Sequence, residues 1–437
     1  MQEFKTGYKI ALVDGGQAEI LRKIGGGGQG IVYEVIMEQK RYALKWYTCK
    51  LKNQEAFREN LQSNIEMGAP DDKFLWPLFL TLEEEGSFGY IMDLRPPEFS
   101  DFSDILNNKV KFSSTEMVIQ SALNIVNGFR ALHRKGRSYQ DLNDGNFFIN
   151  AATGDVLICD NDNVTPGDQK NSGDVGGKPG YMAPEVFRGD SHPNSLTDFH
   201  SLAVILFKLF LRHDPLWGAD HERAPCITEE REMELYGTHP VFIFDPNDLS
   251  NRPVNGVHPN PIKLWPRYPQ FFQDAFIQSF VKGMQDPNAR LHDNEWQKIL
   301  VRLRDEAISC PLCKRDWPIN KLGQKGPINC VCGRAYSAPL RLQVGKYSVP
   351  LFPGKKLYGC HTIDGSDDYN TVTGEVIMNK NNPGLWGIKN LSLDRWEMIT
   401  PGGERKTIDP GSVAPIGRGV SVTFKELTGK ITQADET

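Results

Sequence analysis

One stretch, residues 139–162, constrains the rest of the chain more than any other. It reads Y-Q-D-L-N-D-G-N-F-F-I-N, then a short turn, then V-L-I-C-D-N-D. Asp141 is followed five residues later by Asn146, and a second apolar run delivers Asp160. F-F-I and V-L-I are short apolar runs bounded by turn residues, the pattern of two hairpin-joined strands. Such a hairpin places a carboxylate, an amide and a second carboxylate around one point. Taken alone, the stretch reads equally well as a D/N-rich loop between two strands, so its surroundings decide.

Upstream, residues 18–48 read as three strands. Gly25, Gly27 and Gly30 fall in G-x-G-x-x-G spacing, completed by Val32. Glycines there would let backbone N–H groups approach phosphates without a Cβ in the way. A dinucleotide-binding fingerprint passes from strand to helix, whereas these glycines lie between two strands. Fifteen residues beyond Gly30 comes Ala43-Leu44-Lys45. Residues 53–67 then form a helix candidate with Glu55, Glu59 and Glu66 on one face, and periodicity does not choose among them. Two further strands follow, F-L-W-P-L-F-L and G-Y-I-M-D-L-R. Downstream stand Gly180-Tyr181-Met182-Ala183-Pro184-Glu185 and a buried-helix pattern beginning D-F-H-S-L-A-V-I-L at Asp198.

In this order the motifs resemble those of eukaryotic-like protein kinases: the Gly-rich hairpin, A-x-K, H-R-D-L-x-x-x-x-N, D-F-G and A-P-E. The resemblance implies catalysis by Asp141, as base or orienter of the attacking hydroxyl, with Lys45 on the ATP phosphates and Glu59 as its ion-pair partner. It implies Mg²⁺ held by Asn146 and Asp160. It also implies a nucleotide site made by Gly25, Gly27, Gly30, Val32, Ala43, Met92 as gatekeeper and the Asp93–Arg95 hinge. Asp198 would brace the catalytic-loop backbone, and Arg290 would pair with Glu185. The sequence departs from the family at Tyr139 and Gln140, which replace His and Arg, at Asn143, and at D-N-D in place of D-F-G. Without that Arg, a phosphate on the activation segment has no receiver. Activity is therefore expected not to depend on Thr165 or Ser172.

The chain has 437 residues, enough for two or three domains, and a net charge of -5, which gives no electrostatic case for nucleic acid. No signal-peptide core opens it, and Leu202–Phe207, the longest strongly apolar stretch, is far too short to span a bilayer. The expectation is a cytoplasmic protein acting away from membranes. Between 212 and 270 lies an irregular insertion whose histidines lack metal-ligand spacing. Four of eight cysteines cluster as Cys310-x2-Cys313 and Cys330-x-Cys332, sixteen residues apart. Two thiolate pairs on tight turns close a tetrahedral Zn²⁺ site, structural because no ligand position stays open.

From 341 onward, short apolar strands alternate with Gly/Pro/Asn/Asp turns, the pattern of a small β-sandwich. It resembles a forkhead-associated (FHA) domain, a phosphothreonine reader, with His361, Asn390 and Ser392 nearest to its binding loops and Gly354-Lys355 in place of G-R. The expected fold class is α+β: a bilobal kinase over 1–305 (lobes about 14–95 and 96–305), a zinc ribbon over 306–340 and an FHA-like sandwich over 341–437. The whole resembles bacterial Ser/Thr kinases of the tellurite-resistance-associated type. That implies ATP, Mg²⁺ and Zn²⁺, a protein substrate, stress signalling, and as partners a phosphoprotein or von Willebrand A-type protein and a metal-dependent phosphatase. The competing readings are a nucleotide-binding pseudokinase scaffold and a small-molecule kinase, which the A-P-E motif disfavours.

Overall fold

In the computed structural model, residues 3–49, 51, 53–167, 177–223, 226–317 and 328–433 are described. Ser172 lies outside them. Their contacts divide the chain into two units, 1–113 with 117–265 and 273–297, and 114–116 with 266–272 and 298–437. The cysteine cluster and the C-terminal strands fall in the same unit.

The first unit opens with an antiparallel sheet of β1 (Lys9–Ala11), β2 (Gln17–Gly26), β3 (Gly30–Met37), β4 (Lys40–Tyr47), β5 (Pro77–Leu80) and β6 (Gly89–Asp93). Their order is β1-β2-β3-β4-β6-β5. Gly30 is fixed by this pairing, since a Cβ there would stand 2.1 Å from the Trp46 carbonyl oxygen. Gly27 has open space instead, and its N–H closes the hairpin on the Gly30 carbonyl at 2.9 Å.

Helix α1 (Gln54–Met67) is capped by Asn53 and ends at Gly68, whose φ of +71° suits a residue without a Cβ. It buries Phe57, Leu61 and Asn64. That choice of face turns Glu55, Glu59 and Glu66 to solvent, because successive helical residues rotate by about 100°. Helix α2 (Thr115–Arg134) and helix α3 (Ser195–Leu211) follow, with the hairpin β7 (Phe147–Ile149) and β8 (Val156–Ile158) between them. α3 starts on an Asn194–Thr197 capping box and is buried nearly all round. Arg290, 2% exposed, forms a two-pronged ion pair with Glu185, both N···O distances 2.7 Å, as its position in the sequence suggests. Among the described residues of the 212–270 segment the regular structure is short helical pieces, with His221 and His258 buried and hydrogen-bonded to Tyr236 and Glu222.

In the second unit one antiparallel sheet pairs Tyr347–Pro350, Arg341–Val344, Leu427–Thr432, Ser421–Phe424, Trp396–Ile399 and Arg405–Ile408, in that order. The other pairs Lys356–Tyr358, Val372–Met378, Trp386–Asn390 and Val413–Pro415. Both sheets supply one apolar core, with Leu342, Val376, Ile388, Trp396, Val422 and Ile431 among its residues.

The residues likened to phosphothreonine-binding loops are committed to internal bonds. His361 is fully buried; its Nδ1 accepts from the Tyr358 N–H, so Nε2 carries the proton and donates to Asp305 at 3.1 Å. Lys355 donates to the carbonyl oxygens of Arg304 and Ala307, capping the helical turn that ends there. Asn390, also fully buried, donates to the Asp394 and Ile408 carbonyls and accepts from Ser392. No helix among the described residues is long and apolar enough to cross a membrane.

Candidate active site

The catalytic-loop segment is held from below by α3. Asp198, 2% exposed, accepts the N–H of Tyr139 at 2.7 Å and of Gln140 at 3.1 Å. Its Oδ2 also meets His133, whose other ring nitrogen meets Asp293 at 3.1 Å. Burial alone would lower the His133 pKa, but the two carboxylates outweigh it and raise it to about 9. His133 escaped the sequence reading because a lone histidine at a helix end has no diagnostic spacing.

Above that brace, Asn143 and Asn146 close the turn reciprocally. The Asn146 Oδ1 accepts the Asn143 N–H at 2.7 Å, and Asn143 Nδ2 reaches Asp141 Oδ1 at 3.3 Å. Burial raises the Asp141 pKa to about 6, with the Asn143 hydrogen bond acting against it. The Cys159 N–H donates to the Asn146 carbonyl at 2.9 Å, tying the residue before Asp160 to the loop. Asp160 itself sits at φ +55° with its carboxylate 43% exposed.

Lys45 is 6% exposed and reaches Asp160 at 3.1 Å and Asp162 at 2.8 Å. Here the structure departs from the expected pair: Glu59 lies on the exposed face of α1, and the carboxylates at Lys45 come from the D-N-D turn. Two amides on the inner face of α1, Asn60 and Asn64, both donate to the Val164 carbonyl at 2.8 Å. Asn161, fully buried, donates to the carbonyls of Leu75 and Ile158.

An apolar cluster lies beside these charges. Ala43, Met92 and Cys159 belong to one buried cluster, with Val32, Leu94 and Phe148 packed against it. Phe148 and Cys159 were missed in the sequence, though both adjoin residues singled out there. Asp93 turns its side chain outward to Lys40 at 2.9 Å, and Arg95 stacks on Phe148 at 4.2 Å. Gly25, Gly27 and Gly30 line the hairpin on the same sheet.

Residues 18–290 match the protein kinase domain family. The chain belongs to the protein kinase family. Among curated relatives, a Drosophila melanogaster putative protein kinase C delta type homolog is 24% identical over 207 residues, 45% of this chain and 30% of that protein. A Caenorhabditis elegans putative ribosomal protein S6 kinase alpha-1 is 27% identical over 226 residues, 51% and 27% respectively. Human beta-adrenergic receptor kinase 1 is 28% identical over 200 residues, 44% and 28%. The kinase chain thus spans under a third of each of these relatives. The crystal structure of the Mycobacterium tuberculosis PknI kinase domain aligns with a TM-score of 0.44 at 16% identity, covering 68% of this chain and 98% of that one.

The link from the catalytic loop to the activation segment is neutral in this kinase. Gln140, at φ +70°, donates to the Ser138 hydroxyl at 3.2 Å and to the Thr165 hydroxyl. Thr165 is 3% exposed and pairs with Ser138 in a two-strand ladder. A kinase presented with this residue meets no accessible hydroxyl. Thr165→Ala is therefore expected to leave the specific activity unchanged while lowering stability by about 1 kcal/mol, the usual cost of losing one partner of a buried hydrogen bond. Thermal unfolding and initial rates on the same preparation measure both.

The four cysteines gather in the second unit. Their sulfurs all lie within 4.8 Å of one another, with Cys310–Cys332 at 3.8 Å and Cys313–Cys330 at 3.5 Å. Four sulfurs around Zn²⁺ at about 2.3 Å stand roughly 3.8 Å apart, so the donor set fits. Each pair sits on a tight turn: Lys314 N–H bonds the Cys310 carbonyl and Gly333 N–H the Cys330 carbonyl, both at 2.9 Å. Gly333 takes φ +84° there. Phe352 packs edge-on against Trp317 and Tyr336, each of which follows one of the cysteine pairs by four residues in sequence.

Proposed function

We propose that the chain transfers the γ-phosphoryl group of ATP to serine or threonine hydroxyls of protein substrates. The observation that carries this reading is the convergence of Lys45, Asp141, Asn146 and Asp160 on one cleft beside the Val32–Ala43–Met92 cluster. The adenine ring packs on that cluster, with the hinge backbone at Asp93–Arg95 available to its edge. Lys45 neutralises phosphate oxygens. Asn146 retains a free lone pair on its amide oxygen and Asp160 exposes part of its carboxylate, so both fit Mg²⁺. Bound there, the metal would neutralise charge on the phosphates. Asp141 orients the attacking hydroxyl and accepts its proton. The test is incubation of the purified chain with labelled ATP and a generic protein acceptor, with Asp141→Ala as control and phosphoamino-acid analysis of the product. Label that persists in Asp141→Ala, or that falls on a small molecule alone, refutes the reading. ATP binding without any transfer would favour the scaffold alternative, which rests on the replaced His-Arg and D-N-D.

Asp141 must be ionised to accept a proton. With a pKa near 6, kcat/KM is expected to fall about tenfold per pH unit below that value and to plateau above it. Asn143→Ala removes the bond that favours the carboxylate, so the acid limb moves to higher pH. A pH–rate profile of the two proteins checks the direction.

The four-cysteine cluster is proposed to hold one structural Zn²⁺, and the all-β region to bind a partner protein. Its closed His361, Lys355 and Asn390 positions favour partner binding over phosphothreonine reading at those residues. A von Willebrand A-type protein and a metal-dependent phosphatase are the partners to try first in pull-downs, together with a phosphothreonine peptide as the competing arm.

A further inference from the structure

Lys45 has no acidic partner on α1. We propose that Asp162, from the D-N-D turn, is the positioning counter-ion of Lys45, doing from the activation segment what the family assigns to a helix glutamate. The inference rests on the reading of Lys45 as the phosphate-binding lysine.

Three observations carry it. Asp162 is fully buried and its Oδ2 lies 2.8 Å from Lys45 Nζ, closer than Asp160, while the Tyr47 hydroxyl donates to the same oxygen. A buried carboxylate is costly unless a cation and hydrogen bonds compensate it; both do so at Oδ2, while Oδ1 is buried without a hydrogen-bond partner. The acidic residues of α1 are all exposed, and its buried polar face offers the amides of Asn60 and Asn64, committed to Val164. The turn that carries Asp162 is itself pinned by Asn161 to the Leu75 and Ile158 carbonyls. Asp160 is thus left half-exposed and available to metal, while Asp162 stays on the lysine when nucleotide arrives.

The groups facing Lys45 are Asp160 and Asp162 from the turn, Tyr47 from its own strand and Tyr90 from β6. Burial works against the ammonium, yet its pKa stands well above the usual lysine value, with Asp162 the largest favourable influence. Asparagine at 162 keeps the shape and removes the charge.

The experiment measures ATP KM, kcat, unfolding temperature and ATP affinity, the last with a fluorescent ATP analogue. It compares wild type, Asp162→Asn, Asp160→Ala and the triple variant Glu55→Gln/Glu59→Gln/Glu66→Gln. Asp162→Asn is expected to raise the ATP KM at least about tenfold, the loss of one charge-assisted hydrogen bond, and to weaken ATP affinity in step. The triple variant is expected to keep the wild-type KM. A packing role for Asp162 would lower the unfolding temperature and leave ATP affinity where it is, which overturns the proposal. So does an unchanged KM in Asp162→Asn, or a tenfold rise in the triple variant. That last arm changes only exposed side chains and decides the matter even if Asp162→Asn does not fold. Near-normal turnover in Asp160→Ala would instead overturn the phosphoryl-transfer reading itself.

Discussion

Asp160→Ala is expected to lower phosphoryl transfer by on the order of 10²–10³-fold or more, with little change in the unfolding temperature. The rate loss follows from removing a charge whose interaction strengthens as the phosphoryl group departs. Stability survives because the Asp160 carboxylate is 43% exposed and Lys45 keeps Asp162 as its partner. Lys45→Ala should be as inactive but less stable, because it strands the fully buried Asp162 carboxylate without a cation. Breaking such a buried pair costs about 3–5 kcal/mol. Rates with labelled ATP and thermal melts of both variants separate the two effects, and near-normal turnover in Asp160→Ala contradicts the assignment.

That asymmetry marks the limit of what the sequence discloses. Residues at fixed spacing on one local element, such as Asp141 and Asn146, are placed by the chain itself, and in the structure both are hydrogen-bonded to Asn143. Arg290 and Glu185 are distant in sequence, yet both sit in motifs whose order implies their pairing. Glu59 fails for a different reason. Three glutamates on one helical face look alike in sequence, and only packing reveals that Phe57, Leu61 and Asn64 take the inner face. Asp162 was in plain view beside Asp160, but alternation along the turn does not say which carboxylate turns inward. The positions in the C-terminal all-β region illustrate the same limit, since His361 and Lys355 were likened to a binding pattern while their partners, Asp305 and the 304–307 carbonyls, lie some fifty residues away.

Removal of zinc is the other large expected effect. Elemental analysis should find one Zn²⁺ per chain, and chelation should unfold the segment around Cys310–Cys332, because structural zinc in modules this small supplies roughly 10 kcal/mol or more of folding free energy. Among the described residues, the aromatic support beside the cysteines is Trp317, Tyr336 and Phe352, the last packed on Trp386. Kinase activity assayed with excess Mg²⁺ after chelation should persist, since none of Lys45, Asp141, Asn146 and Asp160 contributes to the cysteine cluster. A fully reduced, metal-free protein with an unchanged melting profile would contradict the zinc assignment. Loss of activity on chelation would make the cluster a regulator of catalysis.

The anchors of the activation-segment start are amides and a hydroxyl: Asn60 and Asn64 on Val164, Asn161 on Leu75 and Ile158, Gln140 on Thr165. None carries charge, so neither proton concentration nor ionic strength acts on them. The Lys45–Asp162 contact is buried, where dissolved salt screens weakly. A salt titration of the reaction therefore leaves these anchors in place and reports chiefly on groups open to solvent, the encounter with the acceptor protein among them, giving a way to ask whether that acceptor is drawn in by charge.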